Sequence, residues 1–266
     1  MSLKPVLLAA VAATLPAALP LPAQAHFQLI HPATPLIETP GDVPLRLIFW
    51  HPFENGQVMD MAAPRAFYAV HRGERIDLMD RLSPINFTGA MNPAAAYAAS
   101  VPVTRAGDYV LVVEPEPYLE ASEDIFIQQL TKVYLNRAQM PTDWMEPQGL
   151  ATEILPFNKP YNLIAGSSFT GQVLSEGKPV AGAEIEIEFM AAEPDMAANA
   201  AKPPTAGPMP GGSLVAIADA NGMFTFAIPR AGWWGFAALG AGPVREHQGK
   251  ELSQDAVIWV RAWDME

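Results

Sequence analysis

The sequence predicts an all-β protein built from two β-sandwich domains. Short segments rich in β-branched and aromatic residues recur along the chain, bounded by Pro, Gly, Asn and Asp. A strict alternation of polar and apolar residues over 184–189 adds the two-residue period of a strand that is solvated on one face. Strands at this spacing are typical of sandwiches of the immunoglobulin-like and transthyretin-like kinds.

In the first half of the chain, the predicted strands are residues 43–49, 66–71, 96–101 and 109–114. Residues 126–138 have the propensity of a helix but also fit a long strand, which the β character of their neighbours favours. Four prolines between residues 140 and 161 indicate an irregular crossing between two units. We therefore expect an N-terminal domain over residues 26–157 and a C-terminal domain over residues 158–266.

In the second half, strands are predicted at residues 168–174, 213–218, 223–228, 232–239 and 256–262. The alternation at 184–189 places Glu184, Glu186 and Glu188 on a solvated face, and the Ala-, Pro- and Gly-rich residues 191–212 suggest a loosely held loop. The strings G-Q-V at 171–173, G-K-P-V-A-G-A at 177–183 and D-A-N-G-M-F at 219–224 resemble those of transthyretin-like or carboxypeptidase-regulatory-like sandwiches. That resemblance implies a fold and says little about function.

Residues 1–25 have the pattern of a cleaved signal peptide. Lys4 precedes an apolar run over residues 6–21, and Ala23-Gln24-Ala25 is the small-x-small pattern of a cleavage site. Prolines interrupt this run, and its uninterrupted part is shorter than the ~20 residues that a membrane span needs. We therefore expect a periplasmic protein, cleaved after Ala25, whose mature form begins at His26.

The composition narrows the possible functions. A formal net charge of −12 repels nucleic acid and anionic lipid and favours cations or basic partners. Because the chain has no cysteine, it has no disulfides, and any metal site must use His, carboxylate, Met or backbone donors. The common nucleotide-binding and nucleophile motifs are absent from the sequence, so we do not expect an enzyme.

Two histidines are the principal candidate metal ligands. His26 at a mature N-terminus offers an α-amine and an imidazole that can chelate one ion, and His51 follows a predicted strand, at a loop edge. Glu54 and Asp60 are candidate oxygen ligands or groups that orient an imidazole. Further donors are the thioethers of Met59 and Met61 and the segment 114–118, whereas His31, His71 and His247 are weaker candidates, the last two expected at the surface.

Seven strings in the mature chain carry a second resemblance, and they lie at residues 25–27, 51–53, 59–60, 107–110, 114–118, 160–163 and 229–238. In order and spacing they resemble a periplasmic family, long called a domain of unknown function, that occurs beside energy-coupling-factor nickel and cobalt transporters. The resemblance implies an accessory component of nickel uptake that hands the metal to the membrane complex. It also implies that His26, and less directly His51, contact nickel(II) or cobalt(II).

Two other functions remain open at the level of sequence. An N-terminal amine with two imidazoles also forms the copper-binding histidine brace of copper chaperones and of enzymes that cleave polysaccharides oxidatively. The chain is also compatible with a structural module of the cell envelope.

Overall fold

The computed structural model describes residues 26–207 and 213–265, and it confirms the all-β sandwich architecture. Within these ranges there is no α-helix, and the one helical turn is the 3-10 segment Met79–Arg81. No helix in the described part of the chain is long and apolar enough to cross a membrane. The predicted signal peptide, residues 1–25, lies outside the described residues.

The described residues form 23 strands. Those of the first half are β1 (Phe27–Pro32), β2 (Leu36–Ile37), β3 (Gly41–Trp50), β4 (Val58–Met59), β5 (Ala66–His71), β6 (Glu74–Asp77), β7 (Ser83–Thr88), β8 (Pro93–Val103), β9 (Gly107–Glu114), β10 (Tyr118–Glu120) and β11 (Ile125–Arg137). Those of the second half are β12 (Thr152–Pro156), β13 (Leu163–Ile164), β14 (Ser168–Ser175), β15 (Lys178–Pro179), β16 (Glu184–Phe189), β17 (Pro194–Asp195), β18 (Ala200–Ala201), β19 (Leu214–Ile217), β20 (Met223–Ala227), β21 (Gly232–Ala238), β22 (Glu246–His247) and β23 (Lys250–Trp263).

The strands form three sheets. A central sheet has the order β19-β16-β21-β23-β11-β9-β5-β6, with β2, β10, β13 and β22 at its margins. A second sheet has the order β1-β3-β8-β7-β18-β17, with β4 beside β3, and a third joins β12, β14, β15 and β20. The predicted strand at residues 126–138 is therefore confirmed as β11.

Two hydrophobic cores lie on opposite faces of the central sheet. Leu111 and Val113 of β9 pack in the core against the β1-β3-β8-β7 sheet, and the alternate residues Val110 and Val112 pack in the core that contains β12 and β14. Both sandwiches therefore use the central sheet, since side chains alternate between its faces.

The two halves of the chain meet where β11 and β23 pair in parallel, from Phe126 opposite Leu252 to Lys132 opposite Ile258. The buried ammonium of Lys132 contacts the carboxylate of Glu153 on β12 at 2.6 Å. The predicted division into residues 26–157 and 158–266 stays a prediction, and the central sheet runs across it. The crossing segment 140–161, predicted as irregular, contains the strand β12.

The predicted solvated face of β16 is wrong for two of its three glutamates. Ile185, Ile187 and Phe189 do face a core, but Glu186 and Glu188 are only 7% and 4% exposed. The turn after β3 lies against this face, where the backbone N–H of Phe53 donates to Oε1 of Glu188 at 2.8 Å. Burial is also the main reason that the pKa of Glu186 rises to about 7 and that the pKa of Glu188 lies well above its ordinary value.

The predicted loose loop at residues 191–212 is also wrong over its described part, residues 191–207. Strands β17 and β18 pair with each other, and β18 joins β7. The guanidinium of Arg46 donates to Oδ1 of Asn199 at 2.7 Å and also contacts the carbonyl of Met196. Arg46 therefore fastens this segment to the second sheet, a long-range contact that composition does not reveal. Residues 208–212 lie outside the described residues.

Candidate metal centre

The antiparallel register of β1 and β3 brings His26 and His51 together. Phe27 pairs with Trp50, so the next position of the same register places His26 opposite His51. Directly opposed residues of an antiparallel pair have neighbouring side chains on one face. The two imidazole centroids are accordingly 4.3 Å apart. The sequence predicted both residues as ligands, and the structure makes them neighbours.

A tight turn holds His51 in place. The backbone N–H of Gly56 donates to the carbonyl of His51 at 3.0 Å, and the indole N–H of Trp50 donates to the carbonyl of Gly56 at 3.1 Å. A Cβ on Gly56 would lie 3.1 Å from Cβ of His51, closer than ordinary contact, so a larger residue there would press on the histidine. His51 is itself 5% exposed. Its imidazole is therefore carried by a turn that is packed and hydrogen-bonded.

The main chain around His26 is clamped by the buried side chain of Gln129 on β11. Its Nε2 donates to the carbonyl of His26 at 2.6 Å, and its Oε1 accepts from the N–H of Gln28 at 2.7 Å. The indole N–H of Trp259 donates to the carbonyl of Gln28 at 3.0 Å. Asp255, whose pKa burial raises, accepts from Nε2 of Gln129 at 3.3 Å. These contacts fix the first residues of the predicted mature chain.

Glu120 orients the imidazole of His26, and the sequence analysis missed it. Oε2 of Glu120 lies 3.3 Å from Nε2 of His26, while Oε1 accepts from the Ser122 hydroxyl at 2.6 Å and from the Ser122 N–H at 3.0 Å. Partial burial raises the pKa of Glu120, but the Ser122 hydrogen bonds and the charge of His26 outweigh it, so the pKa is lowered overall. Glu120 is therefore an ionised group beside the imidazole.

Two aromatic rings lie beside the imidazole of His26. The phenol ring of Tyr118 and the ring of Phe49 lie 6.1 Å and 5.5 Å from the imidazole centroid, and 5.3 Å from each other. Burial, with the nearby charges of Glu120 and Asp60, raises the pKa of Tyr118, so its phenol stays neutral.

The other predicted oxygen and sulfur donors have different surroundings. Glu54 is exposed on the turn, and Asp60 is exposed while its Oδ1 accepts from the N–H of Ala95 at 2.8 Å. The thioether of Met61 lies 3.6 Å from Nε2 of Gln28, and Met59 is buried opposite Phe49. In the segment 114–118, Glu116 forms an ion pair with Arg65 at 2.9 Å, although Tyr118 does reach His26.

The three remaining histidines lie elsewhere. His71, expected at the surface, is instead buried, with its ring stacked on Tyr109 at 4.2 Å and its Nδ1 2.8 Å from the carbonyl of Asp108. His31 is buried edge-on to Trp233, and burial and nearby cations lower its pKa to about 3. His247 is half-buried against Phe126.

The described side chains supply only part of a metal site. No group of three or more His, Asp or Glu side chains within residues 26–207 and 213–265 is arranged to hold one. Two imidazoles do lie together, so a site of three nitrogens needs one donor that is not a side chain. The α-amine that cleavage after Ala25 would create is such a donor, and it belongs to His26 itself. The residues present fit a metal on this condition.

These observations define an all-β sandwich protein with a histidine pair where its first strand begins. Residues 23–242 match the family described as "Domain of unknown function (DUF4198)", and the chain belongs to this family. That match contains no link to nickel or cobalt transport.

The solved structures that resemble the chain include the D0-D1 domain of Intimin, at 12% identity over 86% of this chain and 96% of that chain, with a TM-score of 0.21. Another is the adhesin InvE of Yersinia pseudotuberculosis, at 13% identity over 87% and 58% of the two chains, with a TM-score of 0.22. No curated protein matches this chain.

Proposed function

We propose that the mature protein is a periplasmic, non-enzymatic metal carrier that binds nickel(II), or alternatively cobalt(II), and delivers it to an energy-coupling-factor transporter in the membrane. The observation that carries the proposal is the 4.3 Å separation between the imidazole centroids of His26 and His51. His26 is the residue directly after the predicted cleavage site. Metal binding then depends on export, since signal-peptide cleavage would supply the third nitrogen donor.

The chemistry of these donors supports a nitrogen-rich site. The α-amine and Nδ1 of His26 close a six-membered chelate ring on one ion, and the imidazole of His51 adds a nitrogen from the facing strand. Nickel(II) and copper(II) both favour such sites in roughly square-planar geometry. Glu120 contacts the other nitrogen of His26, Nε2, and a carboxylate in that place orients an imidazole ligand and raises its basicity.

The location of the site and the charge of the chain support a carrier. The side chains of His26 and Glu120 are 10% and 15% exposed, so the pair lies near the surface on a preformed scaffold. The net charge of −12 attracts cations to the protein. The role in nickel uptake and the transporter as partner rest on the family resemblance carried by the seven strings described above.

Calorimetric titration of the mature protein with nickel(II), cobalt(II) and copper(II) tests the metal site. We expect an N-terminal Gly-Ser-Gly-Ser extension to weaken nickel binding by at least 10-fold, because it removes the α-amine of His26 and places the new N-terminus too far along the chain to chelate with the imidazole. His51→Ala should weaken nickel binding by at least 10-fold as well. His247→Phe is the matched control, since it removes an imidazole but keeps a ring against Phe126. Unchanged affinity after the extension would contradict the proposed site, and absence of binding by the mature protein would favour a structural envelope module.

Delivery is tested separately, by nickel accumulation in cells that carry the transporter. We expect cells that express the His51→Ala protein to accumulate less nickel than cells that express the His247→Phe protein. Equal accumulation in the two strains, although the His51→Ala protein no longer binds nickel, would contradict the role in uptake. The assignment of His51 to the metal site would still stand.

A copper-binding histidine brace is the second candidate. Two observations favour it. The carboxylate of Glu120 contacts Nε2 of His26, which leaves Nδ1 and the α-amine to coordinate copper. The neutral phenol of Tyr118 lies beside the same imidazole. Oxidation of a polysaccharide by the copper-loaded mature protein with peroxide would favour an enzyme. Tight copper binding without oxidation would favour a copper chaperone.

A further inference from the structure

A cleft of about 230 Å³ opens beside the candidate metal centre. Its walls are largely apolar and include Phe49, Met61, Leu119, Phe126 and Ile127. Leu119 is 39% exposed although it is a large apolar residue. A concave apolar surface with a few polar groups is typical of small-molecule sites.

The cleft and the histidine pair share residues. Tyr118 and Phe49 line the cleft, and both rings also contact the imidazole of His26. Gln28 and Gln129 line it as well, and Gln129 holds the main chain of His26. A ligand in the cleft therefore lies against residues that contact or position His26, although His26 and His51 do not themselves line the cleft.

The charges beside the cleft select among small molecules. The carboxylates of Asp60 and Glu116 line it, and Arg65 neutralises only Glu116. An anionic ligand without a metal would be repelled by the net negative charge of the protein and by the carboxylate of Asp60, which forms no ion pair with any residue that the structure describes. A nickel(II) ion with one amino-acid anion carries a net charge of +1 and has no such penalty.

We propose that the cleft binds the apolar side chain of a small organic chelator, so that the cargo arrives as a metal–chelator complex of amino-acid size. This inference rests on the proposed function. In a tetragonal site, three nitrogens of the protein leave one in-plane position and at least one axial position, which the amine and the carboxylate of the chelator can fill. The apolar side chain of the chelator then packs against the apolar lining of the cleft, which includes Met61 and Leu119.

Two nickel complexes that differ in one apolar group test the cleft. Mature protein is titrated with nickel(II) alone, nickel(II) with equimolar glycinate and nickel(II) with equimolar L-leucinate. Burial of the isobutyl group is expected to make the leucinate complex bind about 10- to 30-fold tighter than the glycinate complex. Ala62→Phe fills the cleft from an exposed lining residue, and it should abolish this preference while leaving the affinity for nickel(II) alone unchanged.

Ala63→Phe is the matched control, because Ala63 is exposed next to Ala62 but does not line the cleft. It should keep the preference for leucinate. Equal affinity for the two complexes, with tight binding of nickel(II) alone, overturns the cleft proposal and leaves the metal site standing. Failure to bind any of the three probes overturns the proposed function as well.

Discussion

Oε2 of Glu120 lies 3.3 Å from Nε2 of His26, and its other oxygen is held by Ser122. The carboxylate therefore holds Nε2 of the imidazole, which leaves Nδ1 as the nitrogen for the proposed metal. Such groups around a metal site change affinity about 10- to 100-fold when they are lost. We expect Glu120→Gln to weaken nickel binding by this factor, measured by calorimetry on the mature protein.

The control for Glu120→Gln is Glu123→Gln, which changes an exposed carboxylate in the turn directly after β10. It should leave affinity unchanged. If both variants weaken binding equally, the effect of Glu120 is only that of net charge, and its orienting role is wrong.

Gln129→Leu tests the clamp on the N-terminal strand. The substitution removes the hydrogen bonds to the carbonyl of His26 and the N–H of Gln28, so the amine and imidazole of His26 should lose their fixed geometry. We expect at least a 10-fold loss of nickel affinity, together with some loss of stability because buried backbone groups become unsatisfied.

Gln128→Leu is the matched variant, since Gln128 is also buried on β11 but hydrogen-bonds to Pro115 and Gln254. Both variants should lower the urea midpoint, and Gln129→Leu alone should lower nickel affinity. Loss of affinity in both would mean that general destabilisation, rather than the clamp, affects the site.

The sequence predicts the strands well where their patterns are local. Residues 66–71 are β5, and the strand predicted at residues 126–138 is β11 (Ile125–Arg137), in spite of the helical propensity of this segment. The alternation in β16 wrongly predicted a solvated face. It shows that Glu186 and Ile187 lie on opposite faces of the sheet, but not that other residues bury both faces. The cover comes from the turn around Phe53, a contact 135 residues away in sequence.

The same distinction applies to the site. His26 was predicted from the cleavage pattern and His51 from its place at a strand end, both of which are local signals. Glu120 and Gln129 were missed because their contacts with His26 span 94 and 103 residues and depend on how β10 and β11 pass the first strand. An alternating strand pattern does not specify which strands become neighbours across a sandwich.

Lys132→Met tests the buried ion pair near the junction of the two halves. Lys132 and Glu153 are almost fully buried at 2.6 Å, and Glu153 also accepts from the N–H groups of Gln148 and Gly149. The single variant leaves a buried carboxylate without its cation, so we expect a loss of about 3–5 kcal/mol in the free energy of unfolding, measured in urea. Adding Glu153→Gln should recover much of this loss. A single variant within about 1 kcal/mol of the parent would contradict the prediction.

The pH dependence of stability should carry the signature of Glu186. Burial, with the charges of Asp255 and Glu184, outweighs the Ser213 hydrogen bond and raises its pKa from 4.5 to about 7 in the folded protein. Between these values the folded state binds a proton that the unfolded state has released, so stability falls as the pH rises from about 4.5 to about 7. Glu186→Gln imitates the neutral acid and should remove this contribution.

We therefore expect Glu186→Gln to be more stable than the parent by about 1–3 kcal/mol at pH 8 and nearly equal to it at pH 4. Urea denaturation at both values measures the difference. The matched control is Glu251→Gln, an exposed glutamate on β23 of the same sheet, which should change little at either pH. A Glu186→Gln protein that is less stable than its parent at pH 8 would mean that the carboxylate is ionised and compensated in the fold. Burial of the ionised Glu186 carboxylate would then destabilise the folded protein less than the raised pKa of Glu186 implies.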